Sequence, residues 1–174
     1  MLKKMRGLSF SVLAVLVVVV VAVVLNRRSR CSGDPRIGAF LRKLKGHTYK
    51  LISVLDPTDP RTEKIKHNWS GKLGEMEHEE NRHAFAYNLN KGRYIAVCLH
   101  DRKGNLNSFN ETFFVVMHEL AHVATERYAH DRDFWDTFRW LIRSAARAGL
   151  YNNIDYKERP VTFCEYKLDE NPTF

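Results

Sequence analysis

One run of residues divides this chain before any other feature is read. Positions 8–25 are 18 consecutive residues, apolar except for Ser9 and Ser11. As a helix the run would reach about 27 Å, close to the hydrocarbon thickness of a bilayer. Valine dominates it. In water such a β-branched run makes a mediocre helix, but in lipid the backbone must satisfy itself, and helix is the only local solution. A cleaved signal peptide is the competing reading. The run is long for that, and Asn26-Arg27-Arg28-Ser29-Arg30 follows it instead of a small-residue cleavage site. The sequence therefore predicts one uncleaved transmembrane helix, an anchor region over residues 1–30, and a single-pass membrane protein. Three Lys/Arg lie on each side of the run, so the side faced by the rest of the chain stays open. Cys31 sits just beyond the basic cluster, where palmitoylation is an option and a free thiol the simpler state.

The anchor region also explains most of the charge. The chain of 174 residues has 28 Lys+Arg against 20 Asp+Glu, a formal net charge of +8. That total invites a nucleic-acid partner. Residues 1–30, however, hold Lys3, Lys4, Arg6, Arg27, Arg28 and Arg30 and no acid, which leaves 22 basic against 20 acidic residues in 31–174. The excess is a collar on an apolar segment, a membrane pattern, and nucleic acid is not expected as a partner. A hydrophobic fraction of 44% excludes a disordered chain, and three cysteines are too few for a disulfide scaffold. About 144 residues remain for one domain with a real core.

Within residues 31–174 the periodicity predicts a mixed α and β domain. Ser32-Gly33-Asp34-Pro35 reads as a linker. Ile37, Phe40, Leu41 and Leu44 recur at helical spacing, with Gly46 as a possible stop; 49–55 is extended or helical. Ile65, Trp69 and Leu73 extend a helical period across 61–76, weakened by Gly71 and Gly74. Residues 84–89 and 94–99 read as two strands around the turn Asn90-Lys91-Gly92. Ser108-Phe109-Asn110-Glu111 fits a capping box, with Asn110 an alternative cap, and opens a helix to about 126. A second helix runs over 131–148, with Phe134, Phe138, Leu141, Ile142 and Ala145 as its apolar stripe and Gly149 past its end. Residues 160–166 read as a final strand. Cys98 and Cys164 are expected as buried thiols.

Inside the first of these helices lies His118-Glu119-Leu120-Ala121-His122. Residues i and i+4 project from one helix face, so both imidazoles can meet one ion. Neutral imidazole is a good Zn²⁺ ligand, and Glu119 beside the first histidine can serve a water as general base without being a ligand. The preceding Phe113, Phe114, Val115, Val116 and Met117 mark a buried helix, where two histidines and a glutamate would be costly without a metal or partners. A catalytic zinc needs a third protein ligand. Glu126 is about 12 Å along the axis from His118, too far for one ion. The third ligand must come after the chain turns back. His130 is the best candidate, with Asp131 and Asp133 as alternatives, Asp131 suiting better the cap of the next helix. Thr125 and Tyr128 stand where the metzincin pattern needs Gly and His. Tyr128 could donate to an oxyanion or simply pack at the helix end. His47, His67, His78, His83 and His100 read as surface or loop residues.

The sequence His118-Glu119-Leu120-Ala121-His122, then His130-Asp131 and Phe134-Trp135, resembles the WLM family of zinc metallopeptidases, related to the SprT-like proteases. The resemblance takes in Gly92-Arg93-Tyr94-Ile95-Ala96-Val97-Cys98-Leu99 and Pro160-Val161-Thr162-Phe163-Cys164, and covers about residues 60–170. It is similar to short, N-terminally anchored forms coded by large DNA viruses. One departure is a longer gap between His122 and His130 than the family usually has, which a loop accommodates. The resemblance implies an α+β fold, a single compact zincin-like metallopeptidase domain over residues 31–174, here preceded by one transmembrane helix. It implies one catalytic Zn²⁺ held by His118, His122 and His130, Glu119 as base, and a protein or peptide substrate. Nuclear and cytosolic family members cleave proteins crosslinked to DNA; the near-neutral domain gives no reason to carry that substrate over. The rival readings are a non-catalytic zinc-containing membrane protein that acts by binding, and a DNA-associated protease of the same family.

Overall fold

The computed structural model describes residues 34–76, 84–101 and 103–174. Four helices and five short strands follow one another there: α1 (Pro35–Val54), α2 (Pro60–Asn68), β1 (Leu73–Glu75), β2 (Ala86–Leu89), β3 (Tyr94–Val97), α3 (Phe109–Ala124), α4 (Arg132–Arg147), β4 (Val161–Phe163) and β5 (Tyr166–Leu168). Ile37–Phe174 form one unit; of the other, Met1–Arg36, only the start of α1 is described, where the Asp34 carboxylate pairs with the Arg36 guanidinium at 2.7 Å.

The expected transmembrane helix and single-pass membrane location are corrected by this structure. Among the described residues no helix is long and apolar enough to cross a membrane. Helix α1 has the length, but it carries Arg36, Arg42, Lys43, Lys45 and Lys50, charges that hydrocarbon does not accept. Residues 8–25, the anchor boundary at 30/31, Cys31, His78 and His83 lie outside the described residues. The fold class of the described residues is thus α+β with no membrane-spanning helix among them, and no membrane partner is supported.

Helix α3 is the centre of the molecule. Thirteen of its 16 residues are buried, the pattern of a helix enclosed on all sides. Phe113, Met117 and Leu120 are fully buried, each contributing about 1.5–3 kcal/mol of apolar transfer as an upper figure. Ser108 occupies its N-cap, yet the expected box is not formed: the Ser108 hydroxyl donates to the Glu111 carboxylate instead of receiving a backbone N–H. Asn110 turns away from capping and holds the backbone of Asn152 through both ends of its amide, at 3.0 and 2.9 Å.

Around α3 stand α2, α4 and a three-stranded sheet of order β1-β3-β2. Strand β3 is central and buried, parallel to β1 and antiparallel to β2, with Leu89 opposite Tyr94 across the hairpin. The turn between β2 and β3 places Asn90, Lys91 and Gly92 at φ 48°, 53° and 105°, the left-handed pair that matches strand twist, followed by a glycine. Helix α4 begins on Asp131, whose side chain accepts from the Phe134 N–H at 3.1 Å, and Gly149 at φ 66° follows its end.

Several elements differ from the periodic reading. Helix α1 passes through Gly46 and absorbs 49–54, because Leu44, Thr48, Leu51 and Ile52 continue one buried stripe while Gly46 faces solvent. Helix α2 stops at Asn68; Gly71 at φ 74° turns the chain, and Leu73 enters β1 instead of a third helical turn. The final strand is a hairpin, β4-β5, reversed at Cys164 and Glu165 (φ 47° and 71°). Cys98 and Cys164 are not thiols but a disulfide, with Cα atoms 6.3 Å apart. The bond ties the end of β3 to the turn of that terminal hairpin.

Candidate metal centre

His118 and His122 leave α3 one turn apart, with ring centroids 5.1 Å from each other. The helix ends where Thr125 turns extended, and the chain reverses to bring His130 back over the same face. Nε2 of His130 lies 3.0 Å from Nε2 of His118 and 3.1 Å from Nε2 of His122. The three form a group that could hold a metal ion, their ligand atoms all within 4.8 Å of one another. The donor set fits zinc. Nitrogens around one tetrahedral ion at 2.0–2.1 Å would stand roughly 3.3 Å apart, a few tenths of an ångström from these spacings. A single ring proton on His130 could bridge to one neighbour only, whereas one cation satisfies all three lone pairs.

Burial sets the protonation of the group. It pushes His118 down to about 3 and His122 down to about 4, with the neighbouring imidazoles adding repulsion, so both are neutral at ordinary pH, the form that can bind a metal. Burial alone pushes the Glu119 carboxyl up to about 7. Glu119 is buried on α3 between the two histidines in sequence, and its side chain lines the same cleft. That cleft, about 320 Å³, is bounded by β2 and its lead-in (Phe85, Asn88), by Glu119, by Tyr128 and by the three histidines. A carboxylate poised near neutrality next to a metal-ligand set can exchange a proton with a water there.

The weaker ligand candidates are placed elsewhere. Asp131 is consumed as the cap of α4, Asp133 is exposed, and Glu126 points away to Lys64 at 2.5 Å. Tyr128 is 60% exposed at the cleft edge with Lys91 above its ring at 4.1 Å, so it is not a packing residue.

Three residues support the centre that sequence reasoning missed. Phe134, fully buried on α4, is in ring contact with all three histidines, at 4.8, 4.3 and 4.5 Å. In the sequence it stands as one member of an apolar stripe and in the Phe134-Trp135 pair of the family resemblance, with no role assigned; its place four residues after His130 is the signal. Lys91 reaches from the hairpin turn to the C-terminal end of α3. Its ammonium donates to the carbonyls of His122, Thr125 and Arg127 at 3.2, 2.8 and 3.1 Å. Asn88 on β2 donates to the Glu119 carbonyl at 2.9 Å and accepts from the Gly92 N–H at 2.7 Å. Nothing in the pattern of a short strand and turn distinguishes these two from ordinary surface polar residues.

Comparison with known proteins agrees with this arrangement. The WLM domain family matches residues 65–160, more than half of the chain, from α2 to the start of β4. An uncharacterized protein of Acanthamoeba polyphaga mimivirus is 36% identical over 87 residues, covering 49% of this chain and 44% of its own length. An uncharacterized protein of Invertebrate iridescent virus 6 is 33% identical over 70 residues, covering 38% of this chain and 39% of its own. The chain thus spans less than half the length of these relatives. No solved structure matches it. On the match over α2 to β4, this chain belongs to the WLM domain family, which is associated with metallopeptidase activity.

Proposed function

We propose that this protein is a zinc metallopeptidase in which His118, His122 and His130 hold one catalytic ion and Glu119 is the general base. The observation that supports it most is the convergence of three imidazole nitrogens, 3.0 and 3.1 Å apart, from two separate segments beside a buried carboxyl. A zinc ion bound there would polarise a peptide carbonyl and make a water acidic enough to attack it. Glu119 would take a proton from a water in the cleft onto its carboxylate and return it to the departing amide nitrogen. An acid constant near neutrality suits both halves of the transfer. Tyr128, exposed at the cleft edge, is placed to donate its phenol to the developing oxyanion.

The sheet offers a place for the substrate chain. Strand β2 is an edge strand, paired with β3 on one side, and it borders the cleft on the other. An extended peptide adding to that edge would run past His118 and Glu119, held by main-chain hydrogen bonds. The substrate class is therefore a protein or peptide in extended conformation.

Metal analysis of the purified protein and of His130→Ala tests the ligand set. The wild type is expected to hold one zinc per chain, and the variant to lose it at micromolar free metal. Unchanged stoichiometry in the variant would remove His130 from the site.

A further inference from the structure

Next to the cleft lies a second and larger cavity, about 660 Å³, within the range of built ligand sites. His118 and Phe85 border both, so the cavity adjoins the cleft at the first of the three histidines. Its wall is core material. Phe114, Phe138 and Leu168 line it, yet each is at most 8% exposed. Charged residues of both signs line it as well, Arg139 and Lys157 against Asp155, Glu158 and Glu170. An apolar group entering such a space removes the aromatic and aliphatic part of its wall from water.

We propose that this cavity is the specificity pocket of the enzyme and takes the side chain of a large aliphatic or aromatic substrate residue flanking the scissile bond. The proposal rests on the peptidase reading above, since continuity with the histidine cluster is what makes the occupant part of a substrate chain. An extended peptide turns successive side chains to opposite sides, so one residue next to the reacting carbonyl can enter the cavity while its neighbours stay in the cleft. Acidic side chains are disfavoured, because Asp155, Glu158 and Glu170 outnumber Arg139 and Lys157 around the cavity.

The test uses the full-length protein and a peptide series with Phe, Leu, Ala or Asp at each position flanking one scissile bond. At one of the two positions, kcat/KM is expected to be at least tenfold higher for Phe and Leu than for Ala, with Asp lowest. Glu119→Gln should bind the same peptides, read by fluorescence anisotropy, in the same order. Leu168→Trp fills the cavity from β5 and should bring the ratio of kcat/KM between Phe and Ala peptides from tenfold or more down to about one. Arg139→Trp, which blocks the mouth from the surface of α4, should do the same if Leu168→Trp fails to fold. Cleavage without preference at either position would overturn the pocket and leave the peptidase reading standing. Graded binding to Glu119→Gln with no cleavage by the wild type would keep the pocket and overturn the peptidase reading. Neither cleavage nor graded binding would overturn both.

Discussion

Lys91 shares its ammonium among three carbonyls at the C-terminal end of α3, where helical carbonyls lack partners of their own. Burial lowers its pKa, but three acceptors keep the charge useful. The carbonyls belong to His122 and to the segment that carries the chain to His130. One side chain therefore fixes the distance between the second and third proposed ligands. Outer partners of metal ligands are commonly worth 10–100-fold in metal affinity. Lys91→Met keeps the stem and removes the charge; its zinc affinity is expected to fall by about that factor, with Lys91→Arg recovering most of it. Competition against a chelating dye reads the affinity. The melting temperature of the metal-free protein serves as the control, since a purely structural role would move melting and leave affinity unchanged. At the same scale, His118 and His122 were legible from spacing alone, because i and i+4 leaves no choice of face. His130 was legible only as a histidine past the helix end, with Asp131 and Asp133 left beside it. Lys91 and Phe134 were not legible, because their roles depend on which turn meets which helix end.

Among the elements, α3, α4 and the β2–β3 hairpin follow from local chemistry: a stripe or alternation bounded by Ser108, Asp131, Asn90 and Gly149. The errors fall where local and tertiary signals disagree. A glycine at position 46 argues for a helix stop, but the stripe through Leu44, Leu51 and Ile52 continues past it and wins. Space beyond Gly46 is open within 4 Å, and its backbone is helical. Gly46→Ala is therefore expected to stabilise the protein by about 0.5–1 kcal/mol, measured by urea unfolding. A destabilised variant would show that this turn of α1 is not an ordinary solvent-facing helix. Gly92 is the opposite case. At φ 105°, with Val123 at 3.0 Å and the Asn68 carbonyl at 3.1 Å from where a Cβ would stand, it allows the hairpin to touch both α2 and α3. Conversely, the helical spacing of Ile65, Trp69 and Leu73 was a coincidence of periods. Gly71 ends it by turning the chain into a parallel pairing that no local signal announces.

For the whole molecule, the decisive long-range link is the bond between Cys98 and Cys164, 66 residues apart in sequence. Three cysteines in a chain of this size gave no framework to read, and only the docking of the terminal hairpin against β3 brings the pair together. Closing a loop of that length typically contributes about 2–4 kcal/mol. Reduction is expected to lower unfolding free energy by that amount in a denaturant titration, and an unchanged midpoint would place the bond's contribution at nil. The hairpin it holds supplies Leu168 to the cavity beside the three histidines, so the link also bears on the proposed pocket. The charge of +8 now says less than it first promised. The part of it that gathers in residues 1–30 lies outside the described fold, and the domain that carries the site is close to neutral. What the chain does is written in α3 and the segment after it. The central claim is that Glu119 works as a base beside a zinc held by others. Glu119→Gln, assayed together for zinc per chain and for protein cleavage, tests it most directly. The variant is expected to retain one zinc per chain and to lose cleavage by at least about 10²-fold. Undiminished cleavage by that variant, or loss of its zinc, would contradict it.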